Sequence, residues 1–200
     1  MADLVADAIL YGTEAPENGG AELALMNTGG VRNTFKVDTI SGGEQPGEIT
    51  YAEAYNVAPF NNILVTVDLT GAQIETILEQ QYQRVSARGT RPMLSLGVSD
   101  GFTYDWVWEG ATPAPNTQPT TATTGGHVEN MELNGVPIDA NTTYRVGTLN
   151  FLADGGDLFT GFSAGTNRLG AAEDLPNLVA FLQANQAAGL DPPTSRIDGL

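Results

Sequence analysis

Twenty-four carboxylates against 8 Lys and Arg give this 200-residue chain a formal charge of −16, with one histidine and no cysteine. The absence of cysteine excludes a disulfide framework, a thiolate metal site and a cysteine nucleophile, and one histidine excludes a multi-histidine metal centre. So negative a chain also excludes DNA, RNA or anionic lipid as partners held through a basic surface.

In chain order, Leu4, Ala8 and Tyr11 share one helical face, which predicts a short helix over 4–11 ending near Gly12. The apolar run 23–26 reads as a strand stopping at Asn27-Thr28-Gly29-Gly30. A short helix is expected over 50–55, with Thr50 as N-cap and Glu53 completing a capping box. Alternation of Ile63, Val65 and Val67 predicts a strand over 62–69. Thr70 then caps a helix over 71–85, with Ile74, Ile77 and Leu78 at helical spacing.

Segments 93–98 and 102–107 read as strands joined by the turn Ser99-Asp100-Gly101. The nearly uncharged, Pro/Thr-rich stretch 110–126 reads as a flexible loop or linker, because such composition buries little surface. Strands follow at 128–133 and 143–149 around Asn134-Gly135, then a glycine turn at Asp154-Gly155-Gly156-Asp157, and a last helix over 174–188. The tail carries Pro192-Pro193 and ends as loop. Hairpins mixed with helices make the fold class α+β, read as a single domain over 1–200.

A hydrophobic content of 41% suffices for a sizeable core. No run approaches the ~18 apolar residues that a membrane-spanning helix needs, so no membrane partner is expected. The first residues lack the basic region and apolar stretch of a signal peptide, so an exported form would carry its signal elsewhere. Seven Arg and a single Lys, Lys36, suit salty media and ordinary acidic solubility alike.

Three segments can carry chemistry. In Asn27-Thr28-Gly29-Gly30-Val31-Arg32, paired glycines can expose backbone N–H groups as an anion nest, with Arg32 as a phosphate fork, although short glycine motifs are weak signals and by themselves read first as a tight turn with a solvated Arg. In Val57-Ala58-Pro59-Phe60-Asn61-Asn62, Phe60 is either a core residue or a stacking platform for a flat ligand. In the segment from Asn150 and Phe151 to Gly156 and Asp157, Asp157 either accepts hydroxyl groups of a sugar or bonds its own turn. His127, at the end of the Pro/Thr stretch, is assigned no chemistry.

These segments, in this order, resemble the C-terminal domain of the 5′-nucleotidase family, which includes bacterial UDP-sugar hydrolase, 2′,3′-cyclic-nucleotide phosphodiesterase and animal ecto-5′-nucleotidase. Leu4-Val5-Ala6-Asp7-Ala8 is similar to the family's opening "nliaDA" helix. Asn27 to Arg32 is similar to its N/S-GGG-I-R motif, and 57–78 to its "PF-x-N" strand and helix block. Asn134-Gly135-Val136-Pro137-Ile138-Asp139 followed by Tyr144-Arg145-Val146 matches "nG-x-p-l-d…Y-r-v", and Asn150 to Asp157 matches "n-F-l-a-x-GGD".

The resemblance implies a substrate-binding and specificity domain of a metal-dependent nucleotide phosphohydrolase. Phe60 and Phe151 would sandwich the base, Asp157 would bind the ribose hydroxyls, Arg32 would contact phosphate, and Asn27 would bind the base or a nearby group beside Gly29 and Gly30. The partners implied are a nucleotide or nucleoside and the protein's own N-terminal metallophosphatase domain. That domain would hold two divalent metal ions, with no metal or catalytic residue in this chain, which alone would be inactive. Localisation would be periplasmic, cell-surface or secreted.

Alternatives are the same domain in a cyclic-nucleotide phosphodiesterase, UDP-sugar hydrolase or extracellular nuclease, or a non-catalytic extracellular interaction module. The chain departs from the family pattern in lacking a basic residue over 9–14, where the family has a further phosphate-binding Arg. Thr28 stands where it usually has Gly, Asn61 where it often has Gly, and the 110–126 stretch is long.

Overall fold

Strand β1 (Leu23–Asn27) is buried along its whole length, with Leu23 and Leu25 in one apolar cluster and Ala24 and Met26 in another. A strand buried on both faces needs a layer on each side, and the computed structural model supplies both. It describes residues 1–36, 43–83, 85–114, 117–119, 123–190 and 193–200.

Five strands form the central sheet: β1, β2 (Ile63–Thr70), β3 (Leu96–Val98), β7 (Thr143–Leu149) and β8 (Thr166–Glu173). Their order is β3-β1-β7-β2-β8, with β1 and β7 parallel and the other neighbours antiparallel. On one face lie α1 (Ala2–Thr13), α2 (Tyr51–Val57) and α6 (Asp174–Ala184), packed through Val5, Ile9, Ala54, Leu175 and Leu178. On the other lie α3 (Gly71–Glu79) and a second sheet of β4 (Phe102–Gly110), β5 (Thr123–Leu133), β6 (Val136–Pro137) and β9 (Ile197–Asp198), ordered β6-β5-β4-β9. Short helices α4 (Val85–Arg88) and α5 (Asn150–Ala153) complete the described α-helices. The fold is α+β with mixed sheets, as expected.

Helix starts follow local chemistry. Thr50 and Glu53 form the expected capping box on α2, and Thr70 with Gln73 forms a second one on α3. The helix expected over 71–85 stops at Glu79, and the one expected over 174–188 stops at Ala184.

Two expected pairings differ. The turn at Ser99-Asp100-Gly101 does not make a hairpin: β3 pairs with β1 in the central sheet, and β4 pairs with β5 in the second. Asn134-Gly135 joins β5 to the short β6, while β7 crosses to the central sheet. The stretch expected to be a flexible loop is shorter than 110–126. Gly110 closes β4, and 123–126 already lie in β5, where a Cβ on Gly126 would come within 2.4 Å of the Trp106 ring. Gly126 is a strand position that leaves room for an indole. Residues 115–116 and 120–122 of that stretch, and Pro192 of the tail, lie outside the described residues. His127 is on β5, beside Glu129 at 3.0 Å.

Candidate functional site

Because β1 and β7 run parallel and β2 runs against them, the ends of β1 and β7 and the start of β2 meet at one end of the central sheet. That end carries all three segments singled out from the sequence.

Asn27 closes β1. It is 3% exposed, and its Nδ2 donates to Asp157 Oδ2 at 2.8 Å. A carboxylate only accepts, so this contact fixes the orientation of the amide. Its Oδ1 is buried and has no protein hydrogen-bond partner among the described residues. The following 3-10 turn, Thr28–Gly30, is anchored by Thr28, whose backbone N–H and Oγ1 both donate to Ser95 O.

Gly29 and Gly30 are needed here for space, not for a left-handed backbone, because neither has positive φ. A Cβ on Gly29 would sit 3.3 Å from Asp157 Oδ2, and one on Gly30 would sit 2.6 Å from Met26 Cε and 2.9 Å from Asn27 Oδ1. Thr28, in the family's usual glycine position, is likewise compatible with a side chain.

Arg32 leaves this turn exposed. Its N–H donates to Val57 O at 3.0 Å and its Nη1 to Gly29 O at 3.3 Å. The first bond ties the turn to the end of α2, which brings the guanidinium to 5.8 Å from the centroid of Phe60, a cation–π distance. Phe60 is 54% exposed, so it is not a core residue. Next to it, Asn61 has φ of +52°, the left-handed region that Asn tolerates better than most side chains. Asn62 then locks the segment to α6, its Nδ2 donating to Asp174 Oδ2 at 3.1 Å and its carbonyl accepting from Asp174 N. Burial pushes the Asp174 carboxyl above its ordinary value, against the pull of these bonds.

Phe151, on α5, is 42% exposed. Asn150 Oδ1 accepts from Ile63 N at 2.8 Å, which couples the Phe151 helix to the strand that follows Phe60. The Phe151 ring leans over Gly156, where a Cβ would lie 2.6 Å from ring carbons Cε1 and Cζ. Asp157 and Leu158 both have positive φ, +52° and +64°. The structure thus brings Asn27, Gly29 and Asp157 together directly, Arg32 beside Phe60, and Phe151 onto the Asp157 turn.

Two further residues reach this turn without a signal in the sequence. Arg88 Nη2 donates to Asp157 O and Nη1 to Gln81 O, while its guanidinium stacks 4.8 Å from the Phe159 centroid. Gln83 Nε2 donates to Leu158 O at 2.8 Å. Burial pushes the Arg88 guanidinium below its ordinary value, and the charge of Asp157 pulls it back. Neither residue belongs to a motif or a periodic pattern; only the fold brings Gln83 and Arg88 to 157–158.

Among the described residues, no group of three or more His, Asp or Glu side chains is arranged to hold a metal ion. No described helix is long and apolar enough to cross a membrane. This end of the sheet offers two half-exposed rings, an exposed guanidinium and a carboxylate, groups chemically able to stack on a flat ring, pair with an anion and accept hydrogen bonds.

Residues 1–164 match the family described as 5′-nucleotidase, C-terminal domain. The chain is 32% identical over 163 residues to the trifunctional nucleotide phosphoesterase protein YfkN of Bacillus subtilis, a match covering 82% of this chain and 10% of that protein. It is 28% identical over 191 residues to a probable 5′-nucleotidase of Treponema pallidum, covering 91% of this chain and 28% of that protein. The crystal structure of a 5′-nucleotidase precursor from Thermus thermophilus is similar with a TM-score of 0.70 and 28% identity, over 98% of this chain and 34% of that one. The chain therefore spans about a third or less of the length of each of these relatives.

Proposed function

The chain belongs to the 5′-nucleotidase family through that family's C-terminal domain, and we propose that it is the substrate-binding and specificity half of a metal-dependent nucleotide phosphohydrolase. The observation that carries this reading is the shared end of the central sheet, where Phe60 and Phe151 stand half-exposed on segments that also bear the part-buried Asn27–Asp157 hydrogen bond. Exposed aromatic rings are poor neighbours for water and good neighbours for a base.

In this reading the two rings hold the base from either side. Asp157 uses the acceptor capacity left beyond Asn27 for the ribose hydroxyls, since an ionised carboxylate has about four lone-pair sites. Arg32, exposed and stacked on Phe60, meets the phosphate. Asn27, buried at the base of the site, meets the nucleobase or orders the group that does. Gly29 and Gly30 keep the floor free of side chains. Two divalent metal ions would belong to a metallophosphatase domain elsewhere in the protein, and cleavage would take place there; this chain binds and selects. The same family resemblance argues for a periplasmic, cell-surface or secreted setting.

Isothermal titration of adenosine and AMP into the chain tests the reading, with Phe60→Ala and Phe151→Ala compared. Stacking is worth roughly 1–3 kcal/mol per base, so each variant is expected to weaken binding by about 5- to 150-fold. No binding at millimolar ligand, together with full activity of both variants in the full-length enzyme, would overturn it.

One observation favours a second reading within the family. The first helix has no basic residue over 9–14, and Tyr11 there packs edge-on against Phe181 instead. A substrate other than a 5′-mononucleotide, such as a cyclic nucleotide, a UDP-sugar or a nucleic acid end, needs a different phosphate grip. A full-length substrate panel of AMP, UDP-glucose, 2′,3′-cyclic AMP and DNA separates these.

A further inference from the structure

The Asp157 turn is the most strained described part of the site. Asp157 and Leu158 are consecutive non-glycine residues at positive φ, a conformation that L side chains adopt rarely and mostly as single residues. Such strain persists only where the surroundings over-determine it, and an observed outlier of this kind is grounds to ask what holds it and for what purpose.

What holds it is the segment that follows α3. Arg88 donates to the carbonyl of Asp157, and Gln83 donates to the carbonyl of Leu158. Both carbonyls of the strained pair are thus bound by side chains five positions apart. Gln80 extends the contact: its Oε1 accepts from Gly161 N at 2.9 Å, and its Nε2 donates to Thr160 Oγ1 at 3.1 Å. The holding segment is itself fixed. Gln81 is fully buried, with Oε1 accepting from Leu96 N at 2.7 Å and Nε2 donating to Tyr104 Oη at 2.8 Å. Arg88 is braced by Gln81 O and by the buried Phe159 ring.

The clasp acts on the backbone carbonyls of Asp157 and Leu158 and leaves the Asp157 carboxylate to Asn27. Rotation about the Asp157 or Leu158 φ would swing the Asp157 carboxylate away from Asn27 Nδ2. We propose that Gln83 and Arg88 are positioning residues that lock the Asp157–Leu158 backbone and so set the Asp157 carboxylate against a ligand's hydroxyl pair. This rests on the reading of Asp157 as the diol acceptor. It predicts that these two side chains govern selectivity for a ribose bearing both hydroxyls, without touching the ligand.

The test compares adenosine with 2′,3′-dideoxyadenosine, which keeps the base and lacks both hydroxyls, in titrations of the chain monitored by NMR. Wild type is expected to favour adenosine by about tenfold or more, the size of a charge-assisted hydrogen-bond pair. In Arg88→Ala and in Gln83→Ala that ratio falls towards one, while dideoxyadenosine affinity stays within about twofold. Arg88→Lys, which can reach one carbonyl but not both, retains an intermediate ratio. Either alanine change made in an Asp157→Ala background causes no further loss. Backbone torsions from chemical shifts report Asp157 and Leu158 leaving the left-handed region in the alanine variants.

An unchanged ratio with unchanged torsions overturns the clasp. Equal weakening of both ligands also overturns it, because that marks a merely structural role. A wild-type ratio equal to that of Asp157→Ala would instead remove the diol reading, and the selectivity role of the clasp with it; the torsions would still report whether the backbone lock exists.

Discussion

At the scale of single residues, the site is organised by what glycine leaves out. Gly156 has no positive φ, so its value lies in space: a methyl there would meet Phe151 Cε1 and Cζ at 2.6 Å and the Phe151 carbonyl at 2.5 Å. Neither neighbour can yield cheaply, because one is a ring on a short helix and the other is backbone. Gly156→Ala is therefore expected to cost about 1–3 kcal/mol by overpacking, and to weaken adenosine binding further by displacing the Phe151 ring. Urea unfolding and titration of the same variant separate the two effects; a variant with wild-type affinity would show that the ring's seat on Gly156 does not matter to binding. Phe60, Phe151, Asp157 and the two glycine pairs were legible in the sequence because each sits inside a short motif with its own turn chemistry. Whether Phe60 lay in the core was not legible, since a Phe behind a Pro reads the same either way. Gln83 and Arg88 left no trace at all: their contacts span 75 and 69 positions respectively and touch backbone, which no residue pattern encodes.

At the scale of elements, the edge strand β8 shows what local pattern cannot report. Its sequence, Thr166 to Glu173, is mostly exposed and has no apolar alternation, so nothing in it predicts a strand. It is held by β2, through bulged pairing, and by a polar knot in which Arg145 donates to Gly19 O, Asn167 O, Asp68 Oδ1 and Thr66 Oγ1. The two turns read as hairpins fail for a related reason: a turn motif fixes the chain reversal but not the sheet that each flanking strand joins. Asp68 gives this knot a pH signature. The Asn167 hydrogen bond, with Arg145, holds its carboxyl below the ordinary 3.8 against burial. A carboxyl lowered on folding contributes stability that is complete above its unfolded value and is lost as pH falls through the folded one. Asp174 has the opposite sign, because burial raises it: the native state holds that proton more tightly, so its contribution declines as pH rises from 3.8 through its folded value. Asp68→Asn should therefore flatten the acid loss of unfolding free energy, and Asp174→Asn should steepen it. Urea titrations between pH 3 and 6 read both slopes, and slopes that move in the same direction would contradict the assignment.

At the scale of the whole molecule, 24 carboxylates face 8 basic side chains, and several of those cations are already committed. Arg145 is paired with Asp68, Arg168 with Asp154 and Arg196 with Asp7, while Arg88 is turned to backbone carbonyls. The rest of the surface repels itself, which destabilises the compact state relative to the expanded one. The more buried pairs at Arg145 and Arg196, 16% and 10% exposed, feel added salt less than the open carboxylates do. Salt should therefore stabilise this fold: each ~1 kcal/mol of repulsion screened moves the midpoint of thermal unfolding up by about 2–4 °C for a chain this size. In the proposed reading the same field acts on an incoming nucleotide, whose phosphate would approach an acidic domain and meet favourable charge locally at Arg32. Long-range repulsion fades first as the screening length contracts from ~30 Å at 0.01 M to ~10 Å at 0.1 M. The contact attraction to Arg32 weakens only at higher salt. Nucleotide affinity is thus expected to rise and then fall with NaCl while the unfolding temperature climbs throughout. For Arg32→Ala the later fall should disappear, leaving only the rise. Melting curves and AMP titrations over the same salt series test both limbs: affinity that falls from the lowest salt upward would mean that Arg32, rather than the acidic surface, dominates the approach.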